Sequence, residues 1–143
     1  MSASAVPFRT WRIALRAVIT AQAVVAFAAA ISAGVLLTTR SHVLHSATAY
    51  SLFIVAVLHV LIALLAWHPG GGTGGSALSA AAFFVGVSAQ VALGLLHLTA
   101  LHVPLGVLLF GASVLQLAWV WGRQGPGRRR SGRRSSRSPA AGA

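Results

Sequence analysis

Four long apolar runs alternate with short polar joints along the chain: Ile13–Leu37, His45–Trp67, Ala77–Leu98 and His102–Trp121. A helix needs about 20 predominantly apolar residues to cross a hydrocarbon core, and each run meets that length. The second and third runs are separated by HPGGGTGGS, a glycine-rich turn. The third and fourth are separated only by the residues around Thr99–Leu101, which predicts an antiparallel hairpin. Pro104 is expected in the first turn of the fourth helix, where a missing N–H costs little. The expected fold is all-α: a single four-transmembrane-helix bundle in the lipid bilayer.

Composition sharpens this picture by what it lacks. Hydrophobic residues make up 57% of the chain, which has no Asp, Glu or Cys, and all eleven of its cations are arginine. Without carboxylates there is no paired-carboxylate hydrolysis, no Asp/Glu proton relay and no oxygen-rich metal site. Without cysteine there is no disulfide, thiolate nucleophile or iron–sulfur cluster. Ser/His/Asp catalysis lacks its acid. No charged residue stands at the middle of a run to mark a transport pathway.

The net charge of +11 lies in the flanks. Arg9 and Arg12 precede the first run and Arg16 lies just inside it, Arg40 is in the first joint, and seven arginines fall between Arg123 and Arg137. The chain therefore divides into a flank (1–12), a transmembrane domain (13–122) and a basic tail (123–143). The tail is rich in Gly, Ser, Arg and Pro, and disorder is expected for it. It suits contact with anionic lipid, and no aromatic residues interleave its arginines to suggest specific nucleic-acid binding. Arginine on both flanks, with four spans between, places both termini in the cytoplasm of a cell inner (plasma) membrane protein. Trp11, Trp67, Trp119 and Trp121 then fall at the cytoplasmic interface. The first run is longer than a signal-peptide core, so it is expected to stay uncleaved.

The second and fourth runs align when His45 is laid on His102: Leu52 meets Leu109, Phe53 meets Phe110, and His59 meets Gln116. The first and third share Ala21-Gln22 and Ala89-Gln90. The chain reads as two copies of one hairpin, each with Gln on its first helix and His heading its second.

Histidine in a membrane usually faces the bundle interior. His42, His45, His97 and His102 are expected near the outer ends of the helices, and His68 at the opposite interface. His45 and His102 are each followed four residues later by a small residue, Ala49 and Gly106, on the same helix face. Two imidazoles looking over cleared patches suit a flat cofactor ligated from both sides, such as haem b. Two other readings stand beside it. The histidines could be interfacial groups bonded to water and headgroups, or His42, His45, His97 and His102 could surround copper or zinc. His59 lies on the same face as His45, about 21 Å deeper, with Gln116 rather than His at the equivalent position of the fourth helix. Gln22, His59 and Gln116 are expected in one hydrogen-bonded layer, with Gln90 nearer the outer end. A proton or quinone site is the sharper alternative for that layer.

ALHVPLGVLLFGASVLQLAWVW, preceded by AQVALGLL, resembles the last two helices of haem A synthase. LHSATAYSLFIVAVLHVLIALLAW resembles that family's helix beginning at its haem-ligand histidine. Such proteins have eight helices in two halves, and this chain resembles one half over roughly residues 13–122. The resemblance implies His45 and His102 as haem-ligand positions. The family's catalytic half also carries an acidic residue beside its ligand histidine, and here the position before His45 is Leu44, which speaks against haem oxidation. The chain also resembles small uncharacterised bacterial four-helix membrane proteins with the same Gln and His pattern. The expected partners are the bilayer, a redox partner protein or a second copy of the chain. A non-catalytic membrane subunit is the remaining alternative.

Overall fold

The computed structural model describes residues 8–122. They form four helices: α1 (Phe8–Thr39), α2 (Val43–Trp67), α3 (Gly74–Leu95) and α4 (Thr99–Gly122). All four are long and apolar enough to cross a membrane, the architecture of an integral, multi-pass membrane protein. Each helix packs on its two neighbours in a closed cycle, α1 on α2, α2 on α3, α3 on α4 and α4 on α1. The α2–α4 and α1–α3 pairs therefore face each other across the bundle diagonals. The α1–α2 and α3–α4 joints lie at one end, called upper here, and the glycine-rich α2–α3 loop at the lower end.

The joints explain where the helices stop. Arg40 ends α1 with φ 58°, and His97 follows α3 with the same value. Around His97 the Leu98 N–H bonds the Leu93 carbonyl and the His97 N–H bonds the Gly94 carbonyl. This is a Schellman turn, in which a left-handed residue, usually glycine, caps the last carbonyls. At the lower end Gly70 and Gly72 let the loop fold under α2. A Cβ on Gly70 would lie 2.6 Å from the Ala66 carbonyl oxygen and 2.8 Å from the Trp11 ring.

The boundaries differ from expectation in three places. Helix α1 starts at Phe8, so Arg9, Trp11 and Arg12 ride on the helix and not in a separate flank. Helix α3 starts inside the glycine-rich stretch and stops at Leu95, short of Leu98. Pro104 is the sixth residue of α4, not in its first turn. There its missing N–H deprives the Ala100 carbonyl of its usual helical donor. The tail (123–143) and residues 1–7 of the flank lie outside the described residues.

Two apolar clusters form the core. One contains Ala26, Leu52, Ala56, Phe83, Val87 and Leu109, and the other Ala63, Ala77 and Ala80. So much alanine lets the helices approach closely, which is how membrane helices gain van der Waals contact without a hydrophobic driving force. His59 falls one turn below Ala56 and one turn above Ala63, so a polar layer divides the two clusters.

Candidate functional site

That layer takes one side chain from each helix. Gln22 of α1 and His59 of α2 are fully buried. Gln22 Nε2 donates to Gln116 Oε1 of α4 at 2.6 Å. Gln116 Nε2 reaches Ser79 of α3, at 2.8 Å to the hydroxyl and 3.3 Å to the backbone carbonyl. A carbonyl only accepts, which fixes the Gln116 amide with its nitrogen toward Ser79. Gln116 Oε1 must then accept from Gln22, which leaves Gln22 Oε1 facing His59 Nδ1 at 2.8 Å. His59 therefore carries its proton on Nδ1. The chain of bonds runs one way, from His59 through Gln22 and Gln116 to Ser79, and satisfies groups that would be costly to leave bare.

Sequence reasoning missed Ser79. The matching pair Gln22 and Gln90 is also split in depth, with Gln90 at the upper end. The α2/α4 register of the repeat thus gives His59 and Gln116 one depth, while the α1/α3 register does not extend to its glutamines.

Nearer the upper end, His45 of α2 and His102 of α4 face each other across the diagonal. Their ring centres are 6.0 Å apart and their planes cross at 74°. Each ring is held through Nδ1. His102 Nδ1 lies 3.0 Å from the Gln90 backbone carbonyl, an acceptor only, so it must be protonated. His45 Nδ1 lies 3.2 Å from Ser32 Oγ. That hydroxyl also donates to the Ala29 carbonyl at 2.9 Å and touches Thr48 Oγ1 at 2.8 Å. The single hydrogen of Ser32 Oγ serves three close neighbours, and its role toward His45 Nδ1 follows the imidazole tautomer. His102 then presents Nε2 with a free lone pair. A metal-ligating histidine is typically oriented in this way, its other nitrogen donating to a backbone carbonyl or polar group.

Gly94 makes room for one of the rings. A Cβ there would lie 3.1 Å from His102 Cε1 and 3.3 Å from Nδ1. Gln90 completes the arrangement by donating its Nε2 to the His102 carbonyl at 2.8 Å, so that α3 and α4 exchange hydrogen bonds at this level. Gln90 Oε1 is buried and has no partner. The gap left by Gly106 is filled in part by Gln90, whose Nε2 would lie 2.9 Å from an added Cβ. Gly106 thus seats Gln90 as well as lining the space between the rings.

That space is a cavity of about 310 Å³, lined by His45, His102, Gln90, Ala49, Gly106 and a small-residue face of α1. The α1 face comprises Ala26, Ala29, Ala30 and Ala33, at the i, i+3, i+4, i+7 spacing of one helix side. Ala30, Val103 and Val107 line the cavity yet are exposed, so it opens sideways between α1 and α4. Below it, α1 and α4 are joined by the Phe27–Phe110 rings, 5.9 Å apart, by Gln22–Gln116, and by a Trp121–Thr20 hydrogen bond.

The remaining histidines do not join the pair. His42 and His97 are exposed in the two upper joints, and among the described residues no group of three or more His, Cys, Asp or Glu is placed to hold a metal ion. His68, at the lower end, stacks obliquely on Trp67 at 4.7 Å. Comparison with family models, curated proteins and solved structures gives no match for this chain.

Proposed function

We propose that this protein is a membrane haem carrier, of electron-transfer or haem-handling type, holding one b-type haem between His45 and His102. The observation that carries the reading is the spacing of the two rings. A metal–imidazole bond is about 2 Å long and the ring centre lies roughly 1 Å behind the nitrogen, so imidazoles on opposite sides of one metal have centres about 6 Å apart. The pair here lies at 6.0 Å, with His102 Nδ1 committed to the Gln90 carbonyl and His45 Nδ1 in contact with the Ser32 hydroxyl.

The walls support the same reading. A disc between these rings extends toward the α1–α3 diagonal, where α1 offers alanines. The cavity is at the small end of ligand-sized pockets, which run from about 300 to 1,000 Å³. A tetrapyrrole held by His45 and His102 would need the open α1–α4 side as well as this volume. Ser32, Thr48 and the Gln90 carbonyl fix the rings that would ligate it, and haem supplies one-electron exchange. A copper or zinc site built from His42, His45, His97 and His102 has less behind it, because two of the four stand apart and the cavity is large and apolar for a bare ion.

The arginine distribution supports a cytoplasmic location for the lower end and an outer-face location for the cavity, in a cell inner membrane. A redox protein at the outer face, or a second copy of the chain, is the partner this geometry favours.

Expression with haem available, purification and a reduced-minus-oxidised spectrum test the proposal. The expected result is b-type bands that are lost in His45→Ala and in His102→Ala. A colourless protein, or bands surviving the double substitution, would overturn it. Copper or zinc at one equivalent by elemental analysis, without pigment, would replace haem with the metal reading.

A further inference from the structure

The lower end holds a second cavity, of about 220 Å³, lined by all four helices and the α2–α3 loop. Its polar wall is cationic: Arg12 and Arg16 of α1 face the Thr73 and Ser76 end of α3, with Trp11 and Trp119 beside them. Leu15, Ile19 and Ala66 supply an apolar wall. Arg16 is steadied by the Trp121 ring, 5.2 Å from its guanidinium carbon. The chain contains no Asp or Glu, so no carboxylate side chain lines this cavity to repel an anion. Helix α3 adds to the positive field, since it starts without a side-chain cap from Thr73 and helix N-termini favour anions.

We propose that this cavity binds the phosphate of an anionic membrane lipid. Two guanidinium groups match phosphate oxygens in charge and in planar hydrogen-bonding geometry. The position selects a lipid over a free ion, because the cavity lies at the ends of four apolar helices among exposed Trp67, Trp119 and Trp121. Such aromatic side chains gather at headgroup depth. The apolar wall then meets the glycerol and first methylenes of the same molecule.

The test is native mass spectrometry of the full-length protein in detergent, titrated with dioleoyl phosphatidylglycerol, dioleoyl phosphatidylcholine or inorganic phosphate. One phosphatidylglycerol per chain is expected to be retained well above phosphatidylcholine. Arg12→Gln with Arg16→Gln is expected to weaken retention about thirtyfold, at about fivefold per arginine near a membrane surface. Arg12→Gln alone, at an exposed position that folding tolerates, is expected to show the single-arginine step. Replacing Arg128, Arg129 and Arg130 in the tail by Gln is expected to leave the tight adduct in place. Displacement by millimolar inorganic phosphate would identify the phosphate group alone as the ligand and overturn the lipid assignment. Equal retention of both lipids, or retention unchanged in the double variant with its unfolding temperature intact, would overturn the site.

Discussion

Replacing Gln22 with leucine isolates the contribution of the four-helix polar layer. Leucine is close in volume but can neither donate nor accept. The substitution leaves two groups without partners: the buried His59 Nδ1–H, which bonds Gln22 Oε1 at 2.8 Å, and the half-buried Gln116 Oε1, which receives Gln22 Nε2 at 2.6 Å. In water-soluble proteins each orphaned group costs about 1–3 kcal/mol. In membranes the measured worth of an interhelical hydrogen bond averages about 0.6 kcal/mol and reaches about 1.7, because the unfolded chain also finds partners. Gln22→Leu is therefore expected to lower the unfolding free energy by about 1–3 kcal/mol. Ser79→Ala, at the terminus of the chain of bonds, should cost less than about 1 kcal/mol, since the Ser79 carbonyl remains for Gln116 to bond. Adding His59→Leu to Gln22→Leu should recover part of the loss by removing one orphan. The assay is reversible unfolding in mixed micelles with increasing denaturing detergent, followed by far-ultraviolet circular dichroism. If Gln22→Leu is neutral, or Ser79→Ala costs as much, the layer is not the directional unit deduced from the Ser79 carbonyl.

Other expectations concern the upper site. Gly94→Val places a side chain where His102 Cε1 and Nδ1 lie within 3.1–3.3 Å of a Cβ, and haem occupancy should fall sharply at unchanged helix content by circular dichroism. Ser32→Ala removes the group that orients His45 and should weaken haem retention by about 10–100-fold, as loss of an outer partner does at metal sites; haem transfer to apomyoglobin measures it. His97→Gly relieves a left-handed residue that costs roughly 1–2 kcal/mol in a non-glycine side chain, so thermal unfolding should move upward with the spectrum unchanged. Loss of bound copper or zinc in that variant would instead favour the outer metal site.

The fold was legible because lipid demands long apolar helices whose backbone groups are satisfied within the segment, and the four runs carry that signal plainly. Depth was legible for Gln22, His59 and Gln116, since a rigid rise per residue turns sequence distance into height. Facing of His45 and His102 was suggested by their small neighbours at i+4, although Gly106 proved to seat Gln90 as well. Ser32 and Ser79 were not legible. A serine in an apolar helix usually bonds a carbonyl of its own preceding turn, as Ser51 and Ser88 do here, and nothing local distinguishes those that reach another helix. Gly94 was hidden for a similar reason: glycine is common in membrane helices, and only the packed structure shows a ring against it. The sixth-residue placement of Pro104 followed from a helix start three residues earlier than the apolar pattern implied.

The exposed lining at Ala30, Val103 and Val107 bears on how the upper cavity is filled. Its doorway faces the acyl chains, so the haem proposed for this site would enter by sideways diffusion within the leaflet without passing through water. The same doorway admits the alkyl tail of a solubilising detergent, a competitor present at enormous excess during extraction. Protein taken up in lipid nanodiscs by a polymer belt should consequently keep more of its guest than protein drawn out with maltosides.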